Sequence, residues 1–340
     1  MVAGQSTAPR PFQDPRESTQ HATSTPARPL VIDSDISPAA QEPDVISLEI
    51  MMPFYGAPEL FKLAVESVLN QTNPNWRLTI VDDVYPDRAP GLWAANLSDN
   101  RVRYVRNSVN LGVGGNFSKI AEITAADFVV IMGCDDILLP NYVERVSSLV
   151  RRYPNLSYLQ PGVEVIDEVG MVTRPLPDVV KSLYRPNQNG TIELSGETLA
   201  RSLLRGNWTY FPSICWRAEV LKRHGFRTDL DVVLDLALQI DICMAGGTLV
   251  VDDTTVFYYR RHNASVSSWS ANDGTRFDEE RSFFLATALA LGTLGWHRAS
   301  RAARFHFSSR LNAASRLVSA IRSKDRRGLK SLLHHVFRNS

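Results

Sequence analysis

The feature that most constrains the fold is an apolar run that ends in two adjacent carboxylates. Residues 128–132 are wholly apolar and rich in Val, Ile and Phe, which predicts a buried β-strand. Asp135 and Asp136 follow it, and Pro140 stands where a proline can open the next helix. Two carboxylates at the end of a buried strand are costly unless they are solvated, paired or bound to a cation. The pattern therefore predicts either a divalent cation that holds a phosphorylated ligand, or a solvated loop in which an Asp caps the next helix.

Strands and helices alternate before this run. A strand at 46–52, a helix that opens at Pro58 and a strand at 78–81 predict one parallel βαβ unit. A third strand at 101–105 leads into the glycine-rich turn 110–116 and a further helix. The alternation predicts an α/β fold with a doubly wound, mostly parallel, Rossmann-like sheet flanked by helices. Asp83, Gly112 and Asp135 each follow a strand, so we expect them at one edge of the sheet, although plain turn chemistry also explains the glycines.

Composition separates the segments and excludes several classes of protein. Residues 1–44 hold seven of the 19 prolines among Ser, Thr, Gln and Ala, which predicts a disordered segment. A net charge of +1 gives no general case for nucleic-acid binding. Three widely spaced cysteines indicate no disulfide framework and favour a reducing compartment. We expect no secretory signal, and the apolar run 283–296 is short for a membrane span.

The second half is less regular. Strands are predicted at 157–166 and 171–173, a loop at 175–195, a helix at 197–204 and a strand pair within 248–259. The aromatic loop 206–213 is either core or the lining of a sugar-sized pocket. Asp231 and Asp235 are predicted on one face of a helix, where the Leu-flanked Asp235 is a candidate general base and a solvated helix face is the alternative. His262 follows two arginines and is a candidate ligand for a cation or a phosphate, or else a structural histidine.

The C-terminal part predicts basic helices. Residues 297–340 hold eleven Lys and Arg residues against one acid, Asp325. A basic amphipathic helix of this kind predicts binding to an anionic membrane surface. The alternative is a cationic, solvated face packed on the domain.

Several ordered motifs together resemble the family 2 glycosyltransferases. They are the strand 48–53, the run Ser67-Val68-Leu69-Asn70-Gln71-Thr72, Val81-Asp82-Asp83, the turn 110–116 and Cys134-Asp135-Asp136 to Pro140. The later run from Tyr259 to Ser267 is similar to the family's Y-R-x-H…S-V-S pattern. The resemblance covers roughly residues 45–268. It divides the chain into an N-terminal segment 1–44, a glycosyltransferase domain 45–268 and a basic helical extension 269–340.

The resemblance implies a GT-A fold that binds a nucleotide-sugar donor, and an inverting transfer to an acceptor hydroxyl. It implies Mg²⁺ or Mn²⁺ on Asp135, with His262 as a further candidate ligand, and Asp235 as the general base. The implied nucleotide-sugar contacts are Pro53, Tyr55, Asp82, Asp83, Asn110, Gly112 and Asp136. The acceptor-side candidates are Trp208, Tyr210 and Asp231.

One position departs from the family pattern. The family's metal motif is commonly D-x-D-D, and Gly133 takes the place of its first Asp, which leaves strict metal dependence open. We expect a hexosyl- or deoxyhexosyltransferase that uses a UDP- or dTDP-sugar and a glycan or lipid-linked acceptor in cell-envelope polysaccharide synthesis. It is expected in the cytoplasm, at the inner face of the membrane. The alternatives are a nucleotide-sugar-binding scaffold and a nucleotidyltransferase; the latter is disfavoured because residues 52–56 contain no Lys or Arg.

Overall fold

The computed structural model of the protein describes residues 46–186, 190–261, 275–306 and 309–310. The predictions for the segment 1–44, for His262, for 265–267 and for the basic tail after residue 310 fall outside these ranges. Within them, no helix combines the length and the apolar character needed to cross a bilayer.

The first half alternates strands and helices as predicted. In chain order it contains β1 (Leu48–Phe54), α1 (Pro58–Leu69), β2 (Arg77–Asp82), α2 (Ala89–Ala95), β3 (Val102–Arg106), α3 (Gly112–Ile123) and β4 (Phe128–Ile131). The four strands pair in parallel in the order β3-β2-β1-β4. This parallel arrangement brings the loops after β1, β2, β3 and β4 to one edge of the sheet.

The second half adds shorter strands and the remaining helices. They are β5 (Ile137–Leu138), α4 (Tyr142–Arg152), β6 (Tyr158–Ile166), α5 (Leu176–Tyr184), β7 (Thr191–Ser195), α6 (Gly196–Arg205), a 3₁₀ turn (Phe211–Ser213), β8 (Cys215–Arg217), α7 (Ala218–His224), α8 (Leu234–Met244), β9 (Thr248–Arg260), α9 (Thr275–Thr293) and α10 (His297–Phe305). The sheet continues from β4 through β8, β6 and β9 to β5, and β7 also pairs with β9.

The sheet is mixed rather than mostly parallel. The three-residue strand β8 lies antiparallel to both β4 and β6, whereas β6 and β9 are parallel. Strands β5 and β7 both lie antiparallel to β9. The parallel arrangement predicted from the sequence is therefore found for β1 to β4. The short strand β8 joins these four strands to the rest of the sheet.

The strands divide the core into two clusters. Along β4, Val129 and Ile131 face one cluster, while Phe128 and Val130 face the other. This alternation follows from the two-residue period of a strand, and it explains why β4 contains no polar position. Polar side chains therefore begin only where the strand ends, in the loop after residue 132.

Several predicted elements in the second half were wrong. Residues 175–195 contain α5 and β7 rather than a loop, because Pro175 and Pro177 mark the start of a helix, where proline is tolerated. The expected strand pair within 248–259 is one 13-residue strand, β9, with register irregularities opposite Gln160–Val163. The expected strand at 171–173 is a single bridge between Ile166 and Val172.

Candidate active site

Asp83 is the centre of a polar cluster at the end of β2. Its side chain is buried, and its Oδ1 accepts hydrogen bonds from Asn107 Nδ2 at 2.7 Å and from the Leu111 backbone N–H at 2.8 Å. Asn110 Nδ2 donates to the Asp83 carbonyl at 2.9 Å. Asp83 thus fixes the turn that leads to Gly112, whose φ of +68° favours glycine. Among the described residues no hydrogen bond to Asp83 Oδ2 is formed, so this oxygen remains available to a ligand.

Asp82 has a different, structural position. It is fully buried, and its carboxylate accepts hydrogen bonds from Tyr104 Oη, from Arg106 Nη1 at 2.6 Å and from the Tyr85 backbone N–H at 2.8 Å. These three donors hold the loop after β2 in place. Val84, between Asp83 and Tyr85, adopts a φ of +63°, which is rare for a β-branched residue and costs conformational energy.

Two tyrosines form an aromatic wall beside this cluster. Tyr55, directly after β1, is 54% exposed, and its ring meets the ring of Tyr85 edge-to-face at 5.6 Å between centroids. Tyr85 also packs on Phe54 at 5.0 Å. Pro53 is only partly exposed within β1. An exposed aromatic ring beside a polar cluster is a suitable surface on which to stack a base.

The loop after β4 places the two predicted carboxylates together. A Cβ atom added to Gly133 would lie 2.5 Å from Asp136 Oδ2 and 2.9 Å from Asp135 Oδ1. The two carboxylates therefore converge on the Gly133 backbone and fill the space in which the family's first Asp would begin. Cys134 instead packs against Gly56, where an added Cβ would lie 2.9 Å from Cys134 Sγ. This contact joins the loop after β1 to the loop after β4.

Arg260, at the end of β9, holds this loop. Its backbone N–H donates to Asp136 Oδ1 at 2.9 Å, and its Nε donates to the Asp135 carbonyl at 2.7 Å. Burial and the charge of Asp135 raise the pKa of Asp136 well above its usual value, although Arg260 acts in the opposite direction. Arg260 thereby ties the end of β9 to both residues of the carboxylate pair.

The carboxylate pair fits a hard divalent cation in part. Mg²⁺ is commonly bound by one or two carboxylates together with substrate phosphates, and Asp135 and Asp136 supply such oxygen donors. The described residues contain no group of three His, Cys, Asp or Glu side chains placed to hold a metal ion. His262, the remaining predicted ligand, lies outside the described residues.

Asp235 lies in the first turn of α8 and is held by a chain of polar side chains. Asn207 Nδ2 donates to Asp235 Oδ2 at 2.9 Å. Thr209 Oγ1 donates to Asn207 Oδ1 at 2.8 Å, and Gln239 Nε2 donates to Thr209 Oγ1 at 3.0 Å. The loop before the 3₁₀ turn therefore fixes the orientation of the predicted base.

Lys181, on α5, brings a buried positive charge to the same place. Its Nζ donates to the Thr209 carbonyl at 2.9 Å and lies 4.5 Å from the centre of the Tyr210 ring. The residue as a whole is half-buried, but its ammonium group is enclosed by protein. Burial lowers the pKa of Lys181 from 10.5 to about 8, while the charge of Asp235 acts to raise it.

Tyr259 and Arg261 connect the Asp235 cluster to the carboxylate pair. The Tyr259 and Tyr210 rings are 5.2 Å apart, and burial together with the charges of Asp136 and Asp135 raises the pKa of Tyr259. Arg261 donates two hydrogen bonds to the buried Asp178 of α5, which also accepts one from Tyr210 Oη at 3.0 Å. A series of contacts through Asp178, Tyr210 and Tyr259 therefore joins α5 and the loop before the 3₁₀ turn to the end of β9.

Two acceptor-side candidates lie in other surroundings than the sequence predicts. Trp208 is 1% exposed, and its indole Nε1 donates to Ser202 Oγ at 3.0 Å, so it belongs to the core. Asp231 precedes α8, which begins only at Leu234, so it does not share a helix face with Asp235. Its backbone N–H instead donates to Glu279 on α9. Tyr210 stays beside the site, through its contacts with Lys181 and Asp178.

The sequence interpretation missed several residues of the site. Asn107 follows β3 as Asp83 follows β2, which is a signal that could have identified it. Arg106 contacts Asp82 over 24 positions of sequence, and Asn207 reaches Asp235 over 28. No local pattern indicates such pairs.

Part of the chain is similar in sequence to known glycosyltransferases. Residues 49–208 match the family model described as Glycosyl transferase family 2. The UDP-Glc:alpha-D-GlcNAc-diphosphoundecaprenol beta-1,3-glucosyltransferase WfgD of Escherichia coli is 27% identical over 125 residues, which are 37% of this chain and 49% of that protein. An uncharacterized glycosyltransferase of Methanocaldococcus jannaschii is 24% identical over 185 residues, 54% of this chain and 59% of that protein. The chain thus spans about half the length of the curated relatives that it matches.

A solved structure shows the same fold. Staphylococcus aureus TarS 1–349 in complex with UDP-GlcNAc superposes with a TM-score of 0.65 at 14% identity, over 86% of this chain and 82% of that one. The likeness confirms the α/β GT-A architecture with its helical C-terminal region. Together with the family match, it shows that residues 49–208 form a family 2 glycosyltransferase domain on the GT-A fold.

Proposed function

We propose that the chain is an inverting glycosyltransferase that moves a hexosyl or deoxyhexosyl group from a UDP- or dTDP-sugar to a hydroxyl of a glycan or lipid-linked acceptor. The observation that supports this proposal is that the Asp83 cluster and the Asp135–Asp136 pair follow strands of one parallel run, so they lie at one edge of the sheet, while the loop that holds Asp235 contacts the end of β9 through Tyr210. The names of the relatives support the class of acceptor, since WfgD acts on a diphosphoundecaprenol-linked sugar. Cell-envelope polysaccharide synthesis is the corresponding proposed role.

The nucleoside is assigned to the edge formed by β1 and β2. Asp83 Oδ2 can accept the imide N–H of a uracil or thymine base, and the exposed Tyr55 ring offers a stacking surface. Asn110 and Gly112 form the turn that Asp83 holds, so their backbone lies beside the same ligand. Asp82 holds the loop after β2 in place through its ion pair with Arg106.

Asp135 is the proposed main ligand of a Mg²⁺ or Mn²⁺ ion, with Asp136 beside it. A bound cation supplies Lewis-acid stabilisation of the charge that develops on the leaving diphosphate. The chain's own contribution is to hold the two carboxylates in one place, through the backbone of Gly133 and the N–H of Arg260.

Asp235 is the proposed general base. Asn207 fixes one carboxylate oxygen, and the Leu236 backbone N–H donates to the other at 2.8 Å. A carboxylate held in this way can take the proton of the acceptor hydroxyl while that oxygen forms the new bond to the anomeric carbon. Lys181 places a positive charge close to the carboxylate and, with Tyr210, closes this part of the site.

The test is donor turnover by purified full chain with Mn²⁺, comparing wild type with Asp235→Asn. Loss of a general base is expected to lower transfer by roughly 100- to 10,000-fold while binding of UDP is retained. Asp229→Asn is the matched control, because Asp229 is an exposed carboxylate paired with Arg227 just before the same helix. Equal release of nucleoside diphosphate by wild type and Asp235→Asn would show that Asp235 is not the base. UDP binding without any turnover in wild type would favour the scaffold alternative.

Peripheral attachment to the inner face of the membrane is proposed for the basic tail. Helix α10 packs on the domain through the buried Ala299 and Ala303, so the residues left for this role are 311–340. Sedimentation with phosphatidylglycerol vesicles should require these residues. Equal sedimentation of the full chain and of a chain that ends at residue 310 would contradict the proposal.

A further inference from the structure

Helices α6 and α10 enclose a basic cleft of about 730 Å³ that no residue of the donor site lines. It is lined by four arginines, Arg201 and Arg205 of α6 and Arg298 and Arg301 of α10, and also by Phe305. A volume of this size is typical of a ligand site rather than of a gap between side chains.

The packing of the two helices fixes these arginines. Arg201 and Arg205 are four positions apart, and Arg298 and Arg301 are three apart, so each pair lies on one face of its helix. The carboxylate of Glu197, in the first turn of α6, accepts the backbone N–H groups of Arg298 and of Ala299, the latter at 3.1 Å. This contact caps α10 and sets the two arginine pairs opposite each other.

Within the described part of the chain, the carboxylate of Glu197 beside Arg298 offsets part of the positive charge of the cleft. None of the four arginines forms an ion pair there with a carboxylate. Residues 311–340 contain seven Lys and Arg residues and one acid, so this segment adds more positive than negative charge. All four arginines are exposed, so an anionic ligand that enters the cleft can reach their guanidinium groups, and their like charges favour its binding.

The cleft adjoins the acceptor side of the site. Its lining residue Tyr184 lies one helical turn after Lys181 on α5, and Arg205 lies two residues before Asn207, which holds Asp235. The Tyr184 ring packs directly on Gly206, where an added Cβ would lie 2.4 Å from it. A ligand in the cleft would therefore extend toward the general base rather than toward the nucleotide.

We propose that this arginine cleft binds the phosphate or diphosphate group of the glycosyl acceptor. The planar guanidinium group donates paired hydrogen bonds that match phosphate oxygens, and four such groups suit a diphosphate. Tyr184 and Phe305 offer aromatic surface for the part of the acceptor next to the phosphate. The proposal rests on the proposed function, because it assigns the acceptor of that same reaction.

The first test is calorimetric titration of the full chain with inorganic pyrophosphate, with UDP saturating so that the donor site does not contribute. Arg201→Gln combined with Arg298→Gln is expected to weaken pyrophosphate binding by roughly 10- to 100-fold, since two charge-assisted contacts are lost. Arg304→Gln is the matched control, because Arg304 is exposed on the same helix but does not line the cleft. An equal loss of affinity in the control, or no loss in the double variant, would overturn the proposal.

The second test distinguishes the sources of the phosphate. A polyprenyl diphosphate in neutral detergent should show the same dependence on the two arginines as pyrophosphate. Binding to phosphatidylglycerol vesicles should not depend on the two arginines. If only vesicle binding depended on them, the cleft would be assigned to a membrane surface and the acceptor site would be refuted. Neither assay needs catalysis. The two proposals can fail separately. If pyrophosphate binding depended on the cleft but no sugar transfer depended on Asp235, the proposed function would be rejected and the cleft would still be an anion site.

Discussion

Replacing Lys181 with Met should stabilise the protein at neutral pH. The ammonium group of Lys181 is enclosed by protein, and burial lowers its pKa from 10.5 to about 8. Below pH 8 both the folded and the unfolded states carry the charge, so the folded state bears the full cost of burying it. Between pH 8 and 10.5 the folded state binds fewer protons than the unfolded state, and the stability of the wild type therefore rises with pH. At about 1.4 kcal/mol per pKa unit, this rise is roughly 3 kcal/mol.

The assay is urea unfolding of wild type and Lys181→Met at pH values from 7 to above 10. Loss of the hydrogen bond to the Thr209 carbonyl costs the variant about 1 kcal/mol at every pH. The stability advantage of the variant should therefore shrink by roughly 3 kcal/mol across the range and end as a small deficit. Lys222→Met is the control, because Lys222 is exposed and also donates to a backbone carbonyl, that of Thr124. A difference between wild type and Lys181→Met that does not change with pH would refute the reasoning.

Three further variants test other parts of the site and the fold. Arg145→Met leaves the fully buried Asp252 without its two guanidinium hydrogen bonds, and should lower the free energy of unfolding in urea by about 3 kcal/mol. Burial acts to raise the pKa of Asp252, but the hydrogen bonds from Arg145 and Thr191 and the charge of Arg145 together lower it, so the wild type should lose this advantage as the pH falls into the acid range. Gly133→Asp adds a third carboxylate where an added Cβ would lie 2.5 Å from Asp136 Oδ2, and should lower the melting temperature in EDTA more than Gly133→Ala does; equal melting temperatures of the two variants would contradict repulsion between the carboxylates. Asp83→Asn should weaken UDP binding by roughly tenfold in calorimetry, because the side chain loses its acceptor-only character; unchanged affinity would remove Asp83 from the nucleotide site.

The first half of the fold was predictable because its signals are local. Val129 and Val130 alternate between two cores within one apolar strand, and Pro58 opens α1 at the position that its ring requires. Asp83 and Asp135 were identified because parallel strands bring their own ends to one edge. These features need only a strand, its end and the residue that follows.

The second half was less predictable because its structure depends on distant partners. The strand β8 has three residues and is defined by its neighbours β4 and β6 rather than by its own composition. Pro175 and Pro177 suggest a loop in isolation, whereas the helix they open is held by the Asp178–Arg261 pair, 83 positions apart. Lys181 gave no sequence signal at all, since its significance comes from burial beside Thr209 and Asp235.

The end of β9 is a mechanical connection between two parts of the site. Arg260 and Arg261 are successive residues, so their side chains leave the strand on opposite sides: one holds the Asp135–Asp136 loop, and the other holds α5 through Asp178. The Asp135–Asp136 loop and α5, the helix that carries Lys181, are thereby both attached to a single peptide unit. A shift of either one displaces the same point of the chain, so this short joint can transmit the arrival of one substrate to the binding surface of the other.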